Sequence, residues 1–210
     1  VPLEKACLIG CGVTTGFGAA VRTAKVPVGA TVCVIGCGGI GLSAVQGARV
    51  AGAGRIIAVD MSAEKLDTAR LMGATDTVNA SEVDDVVTAV RDMTSGGVEY
   101  SFEAIGLKQT AEQAFEMLEM GGTATVIGMV PSNTKLEIRG IDLLSEKKLQ
   151  GSMMGSNQFR TDIPQMIDLY LTGRLLLDEM VSATIDLEQV NEGYEWMKAG
   201  TIARTVITFD

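Results

Sequence analysis

The 210-residue chain contains no histidine. Imidazole is the side chain whose unperturbed charge change falls near neutral pH and is the commonest metal ligand, so a histidine triad, proton shuttle or histidine-bound metal is closed to these residues. Aromatics are scarce at 4%, a composition suited to close helix-on-sheet packing rather than an aromatic-anchored binding surface. Apolar runs fall short of the ~20 residues that a membrane span requires. No basic segment precedes an apolar one as it does in a secretion signal. Basic blocks are missing too: the net charge is −9 with acids and bases interspersed, which excludes nucleic acid and anionic membranes as expected partners. Cys7, Cys11, Cys33 and Cys37 have no secretory context and read as reduced thiols of a cytoplasmic protein. A starting methionine is also absent, and a chain opening Val1-Pro2-Leu3 is expected to be processed or excised from something longer.

What is abundant is glycine, at 25 residues, and small or β-branched aliphatics within a 47% apolar content. From residue 31 to about 154 these alternate as strand and helix. Strands are expected over Thr31–Ile35, Arg55–Asp60, Thr75–Asn79, Val98–Ala104, Thr123–Met129 and Lys148–Met154. Val32-Cys33-Val34-Ile35 and Ile56-Ile57-Ala58-Val59 are continuous apolar runs, the mark of strands covered by helices on both faces. Ser81-x-x-Asp84 is the expected cap of a helix carrying Val83, Val86, Val87 and Val90, and Gly73 the stop of one starting near Ser62. The alternation predicts an α/β fold with a doubly wound parallel sheet. The flanks differ. Residues 1–30 predict a helix interrupted at Gly10-Cys11-Gly12, residues 163–171 and 187–198 two amphipathic helices, and Arg204–Phe209 a last strand.

Gly36-Cys37-Gly38-Gly39-Ile40-Gly41 satisfies G-x-G-x-x-G directly after the first strand and opens the next helix. In this Rossmann-type arrangement Gly36 permits the tight turn, Gly38 lets the backbone approach a pyrophosphate, and Gly41 lets helix and strand pack closely. The helix N-terminus then presents free N–H groups and a positive dipole end to the diphosphate. Asp60 ends the following strand, about twenty residues on, where a carboxylate accepts from the ribose hydroxyls and repels a 2′-phosphate. The cofactor predicted from these residues is NAD.

Further blocks resemble the zinc-dependent medium-chain alcohol dehydrogenases, including the thiol-dependent formaldehyde dehydrogenases. They are Leu3-Glu4-Lys5-Ala6-Cys7-Leu8-Ile9-Gly10-Cys11-Gly12 with Thr14-Thr15-Gly16, the segment Val34–Gly41, Gly97-Val98-Glu99-Tyr100-Ser101-Phe102-Glu103-Ala104-Ile105-Gly106, and Arg204–Phe209. The resemblance runs the length of the chain. It implies Cys11 as one ligand of the catalytic zinc, Thr15 and Ile40 against the nicotinamide, and Lys65 helping Asp60 at the adenosine ribose. It places Ile105 on the adenine side, Ile127 and Met129 around the nicotinamide, and Arg204 on a coenzyme phosphate beside Gly36, Gly38, Gly39 and Gly41. It also implies hydride transfer between an alcohol or aldehyde, or a thiol hemiacetal, and NAD, and a homodimer formed through the coenzyme domain.

The resemblance divides the chain into residues 1–14 and 155–210, remnants of a catalytic domain, and residues 15–154, the dinucleotide-binding domain. The family's remaining zinc ligands have no counterpart here, and one thiolate cannot hold a tetrahedral Zn²⁺. The chain alone is therefore expected to be inactive, with no complete catalytic set. Two rival chemistries use other residues. Tyr194-x-x-x-Lys198 with Ser182 matches a short-chain dehydrogenase pair, although the glycine spacing does not. Cys7/Cys11 and Cys33/Cys37 are both C-x₃-C and would make a tetrathiolate zinc module if they converged. A non-catalytic NAD-binding module is the remaining alternative.

Overall fold

A computed structural model describes residues 1–199 and 204–209. Its centre is a six-stranded parallel sheet in the order β3-β2-β1-β4-β5-β6. The strands are β1 (Thr31–Ile35), β2 (Arg55–Asp60), β3 (Asp76–Asn79), β4 (Val98–Glu103), β5 (Leu118–Val126) and β6 (Lys148–Gly151). The connecting helices are α2 (Gly39–Ala51), α3 (Ala63–Met72), α4 (Val86–Met93) and α5 (Lys108–Glu116). β1 pairs with both β2 and β4, so the order reverses beside it, and the crevice at the carboxyl ends of these strands is where ligands bind in such sheets.

The continuous apolar runs are buried on both faces. Val32, Val34, Ile56, Ala58 and Phe102 join one core with α2 and α3, while Cys33, Ile35, Ile57, Val59 and Val98 join a second with α4 and α5. This division follows from the two-residue period of a strand. β5 begins five residues before the expected Thr123. Its pairing jumps from Val98↔Leu118 to Tyr100↔Thr123, so an irregular stretch around Gly121, where φ is +79°, hides the early part from an alternation pattern. β5 also stops at Val126 and β6 at Gly151, earlier than expected. The cap of α4 is Asp85, whose carboxylate accepts from Thr88 N at 2.7 Å, and not the Ser81-x-x-Asp84 pair.

The first helix, α1 (Leu3–Thr23), corrects the expected interruption at Gly10-Cys11-Gly12. The chain passes through these glycines as a π-helical turn, Ile9–Val13, and through a second one at Ala19–Thr23. At 21 residues α1 is long and apolar enough, by length and composition, to cross a membrane; here its Val13, Phe17, Ala19 and Ala20 are core residues. α1 reaches α2 closely because glycines face the contact: a Cβ on Gly47 would lie 2.7 Å from the Phe17 carbonyl oxygen.

After β6 come α6 (Phe159–Leu171), a short strand β7 (Ala183–Ile185), α7 (Val190–Ala199) and β8 (Thr205–Ile207), which pairs in parallel with β7. β7 was not expected from the sequence. Fully buried Gln46 on α2 fastens this region: its Oε1 accepts from Leu176 N at 2.7 Å and its Nε2 donates to Leu176 O at 3.0 Å. The Arg22–Asp162 ion pair ties α6 to α1.

Candidate functional site

The three fingerprint glycines occupy three different steric situations. Gly36 has φ +94°, a conformation that L side chains rarely adopt, and a Cβ there would also strike Ile105 Cγ1 at 2.6 Å. A Cβ at Gly41 would collide with the Gly36 carbonyl oxygen, so the helix could not start this close to β1. Gly38 has ordinary extended geometry as the N-cap of α2, and a Cβ there would meet nothing within 4 Å. Its missing side chain leaves room facing outward rather than inward. No side chain caps α2, so the first N–H groups of the helix remain available to an anion.

Asp60 lies at the carboxyl end of β2, half-buried, and spans two functions. Its Oδ2 accepts from Cys37 N at 2.8 Å, and its Oδ1 from Ser62 N at 3.0 Å. The carboxylate therefore fixes the glycine loop and the approach to α3 together. With about four lone-pair directions on a carboxylate, two remain for further donors. Ser62 caps α3 by accepting from Lys65 N, which sets Lys65 in the first turn, close enough for its charge to act on Cys37.

Cys37 is buried under the loop. Burial, and after it the negative charge of Asp60, pushes its thiol up to about 12, with Lys65 opposing. Cys33, inside β1, is likewise raised by burial and by Cys37. Both thiols are inert at neutral pH, whereas Cys7 and Cys11 are exposed on α1. The tetrathiolate reading is thereby corrected: among the described residues no three or more His, Cys, Asp or Glu side chains stand together as a metal-binding group. Among the described residues Cys11, on the π-helical turn, has no companion donors, so they do not fit a zinc ion.

The remaining expected residues come from separate parts of the fold. Ile105, in the turn after β4, covers Gly36. Ile127, just past β5, is buried, and Met129 beyond it is exposed with its backbone against Gly106. Thr15 is buried on α1 with its Oγ1 3.7 Å from Met154 Sδ, and the next residue, Gly16, lies against the Ile40 carbonyl. Arg204 immediately precedes β8 and lays its guanidinium over Gly39, the first residue of α2, and over Gly12. Tyr194 and Lys198 are both on α7, but the Lys198 ammonium pairs with Glu195 at 2.8 Å, while Tyr194 lines a cleft of about 230 Å³ with Arg204.

One site residue escaped the sequence reading. Glu103, fully buried at the end of β4, accepts on Oε1 from Ile105 N at 2.8 Å, Gly106 N at 2.7 Å and Thr110 Oγ1 at 2.8 Å. Its backbone carbonyl accepts from Ile127 N and Gly128 N, and a Cβ at Gly128 would lie 2.6 Å from its Oε2. Glu103 thus joins the turn carrying Ile105 to the loop carrying Ile127 and Met129. Its signal was the acid ending the otherwise buried Ser101-Phe102 strand.

A glycine loop between strand and helix at the switch point, with an acid ending the next strand, defines a Rossmann-type dinucleotide fold. Comparison with known proteins narrows this. Residues 39–172 match the zinc-binding dehydrogenase family model, and the chain belongs to that family. It is 40% identical to an alcohol dehydrogenase class-3 of Cereibacter sphaeroides, across 99% of this chain and 57% of that protein. A crystal structure of an alcohol dehydrogenase zinc-binding domain protein from Burkholderia ambifaria superposes with a TM-score of 0.96 at 36% identity, covering 100% of this chain and 56% of the other. A putative zinc-binding dehydrogenase from Sinorhizobium meliloti 1021, bound to NADP, gives 0.79 at 32% identity over 87% of this chain and 53% of its own. The chain spans little more than half the length of the relatives it matches.

Proposed function

We propose that this chain is the NAD(H)-binding part of a zinc-type alcohol dehydrogenase, serving hydride transfer between nicotinamide and an alcohol, an aldehyde or a thiol hemiacetal. The observation that carries this reading is the contrast at the glycine loop. Gly36 and Gly41 are filled positions, whereas Gly38 opens outward at an uncapped helix start beside a guanidinium. That is the shape and charge a diphosphate requires.

In this reading the first N–H groups of α2 and Arg204 hold the diphosphate. Asp60 accepts from the adenosine ribose hydroxyls with the oxygen lone pairs that Cys37 and Ser62 leave free, and Lys65 supports it. Ile105 flanks the adenine side; Thr15, Ile40, Ile127 and Met129 bound the nicotinamide and leave one ring face toward substrate. NAD is preferred over NADP because Asp60 meets a 2′-phosphate with like charge and neighbouring Met61 offers no compensation. One relative, the putative zinc-binding dehydrogenase from Sinorhizobium meliloti 1021, is bound to NADP, so the preference of this chain rests on Asp60. No catalytic step is assigned to zinc, since Cys11 alone does not make its site. The chain by itself binds coenzyme and does not oxidise alcohol. Cytoplasmic location and a homodimer belong to the same proposal.

The test exploits Gly38, where alanine meets no protein atom. Gly38→Ala should melt like the parent chain yet bind NADH at least about tenfold more weakly, because the methyl stands where the diphosphate approaches. A parent chain that does not change NADH fluorescence on titration overturns the reading.

A further inference from the structure

The position of Arg204 depends on two glycines that are far apart in sequence. A Cβ at Gly39 would collide with Arg204 Nε and lie 2.7 Å from its guanidinium carbon; a Cβ at Gly12 would collide with Nη2 and lie 3.1 Å from the same carbon. The guanidinium therefore occupies a slot between the π-helical turn of α1 and the first residue of α2. Such a place is costly for a cation, because the N-terminal end of α2 carries positive partial charge. Among the described residues no carboxylate pairs with the Arg204 guanidinium. A cation held against a positive helix end without a counter-ion is arranged for an anion that both can bind.

We infer that Gly12 is a positioning residue of the coenzyme site: by lacking a side chain it seats Arg204 over the start of α2, where guanidinium and helix N–H groups converge on one phosphate. The proposal rests on the dinucleotide reading above. It adds that α1, the helix carrying Cys11, forms one wall of the phosphate site through the residue following that cysteine. The three atoms nearest a methyl group at position 12 all belong to the far end of the flexible Arg204 side chain, so its expected effect is to displace the guanidinium and not to unfold the chain. Gly10, two residues earlier, has nothing within 4 Å of a Cβ and gives the matched control.

The experiment is a double-mutant cycle on the full chain read by NADH fluorescence. Arg204→Ala and Gly12→Ala should each weaken NADH about tenfold, as expected when a charge-assisted hydrogen bond is lost. The double variant should be no weaker than Arg204→Ala alone, Gly10→Ala should match the parent within about twofold, and adenosine, which has no phosphate, should bind all variants equally. If Gly12→Ala melts early, Gly39→Ala, the other wall of the slot, replaces it in the same cycle. Losses that multiply in the double variant, an unaffected Gly12→Ala, or an unaffected Arg204→Ala each overturn the inference while leaving the dinucleotide reading intact. A parent chain that fails to bind NADH overturns that reading instead.

Discussion

Asp60 Oδ2 and Cys37 N are joined by a 2.8 Å hydrogen bond that crosses from the end of β2 to the glycine loop. The same carboxylate anchors Ser62 N, so the residue that would read the ribose also shapes the loop that would hold the phosphates. Asp60→Ser therefore has two consequences. The Cys37 amide loses its partner in a partly buried turn, at roughly 1–3 kcal/mol, which urea unfolding should detect. NADH affinity should fall while NADPH affinity holds or improves. Unchanged stability would show that the Cys37 amide finds another acceptor.

Glu103 should matter through the loops it joins. Glu103→Ala strands the buried Gly106 amide and the partly buried Ile105 amide and should cost roughly 3 kcal/mol. Glu103→Gln keeps an acceptor of the same shape and should cost less than half as much. Equal losses in the two variants, measured by chemical unfolding, would mean that the negative charge and not the acceptor geometry is required.

The cysteines separate by burial. Iodoacetamide at pH 8 should label Cys7 and Cys11 in the native chain and leave Cys33 and Cys37 unmodified until denaturant is added, as read by peptide mass. The linked stability effect has a definite sign. The Cys37 thiol titrates near 9 when unfolded and near 12 when folded, so its contribution is complete below pH 9 and is lost as pH rises from 9 toward 12. Cys37→Ala should flatten that part of the alkaline stability profile.

Self-association is expected at the β6 edge. The strand near Thr123–Met129, with the segment to about Leu144, is the seam that the family resemblance implies, but β5 is paired on both sides, by β4 and β6, and cannot itself extend the sheet across a two-fold axis; β6, like β3, is an edge strand. Met129, Ile141 and Leu144 are respectively 93%, 65% and 81% exposed in the segments preceding it, an apolar set that a partner would cover. Sedimentation at tens of micromolar should give a dimer, and Leu144→Glu a monomer. A parent chain that sediments as a monomer contradicts the proposal.

The sheet and its glycine loop were legible because they depend on local pattern: apolar runs of strand length, then glycines at the one spacing that permits a strand-to-helix turn. The early part of β5 was not, because Gly121 and the shifted register break the two-residue period. Gly10-Cys11-Gly12 reads locally as a helix break, yet α1 continues through it as a π-helical turn packed on α2, a tertiary effect. Gly16 and Gly12 carry no hint in sequence that Ile40 and Arg204 will lie against them. Likewise β7 is only three residues long and exists by pairing with β8. The expected site residues Thr15, Ile40, Lys65, Ile105, Ile127, Met129 and Arg204 came from family likeness, since no spacing rule marks them in the sequence.

The coenzyme preference is the central claim, and calorimetric titration of the unmodified chain with NADH and NADPH tests it most directly. Asp60 predicts that NADH binds at least about tenfold tighter, a difference of roughly 1.4 kcal/mol or more. Equal affinities would contradict the account, reducing Asp60 to an anchor for Cys37 and Ser62.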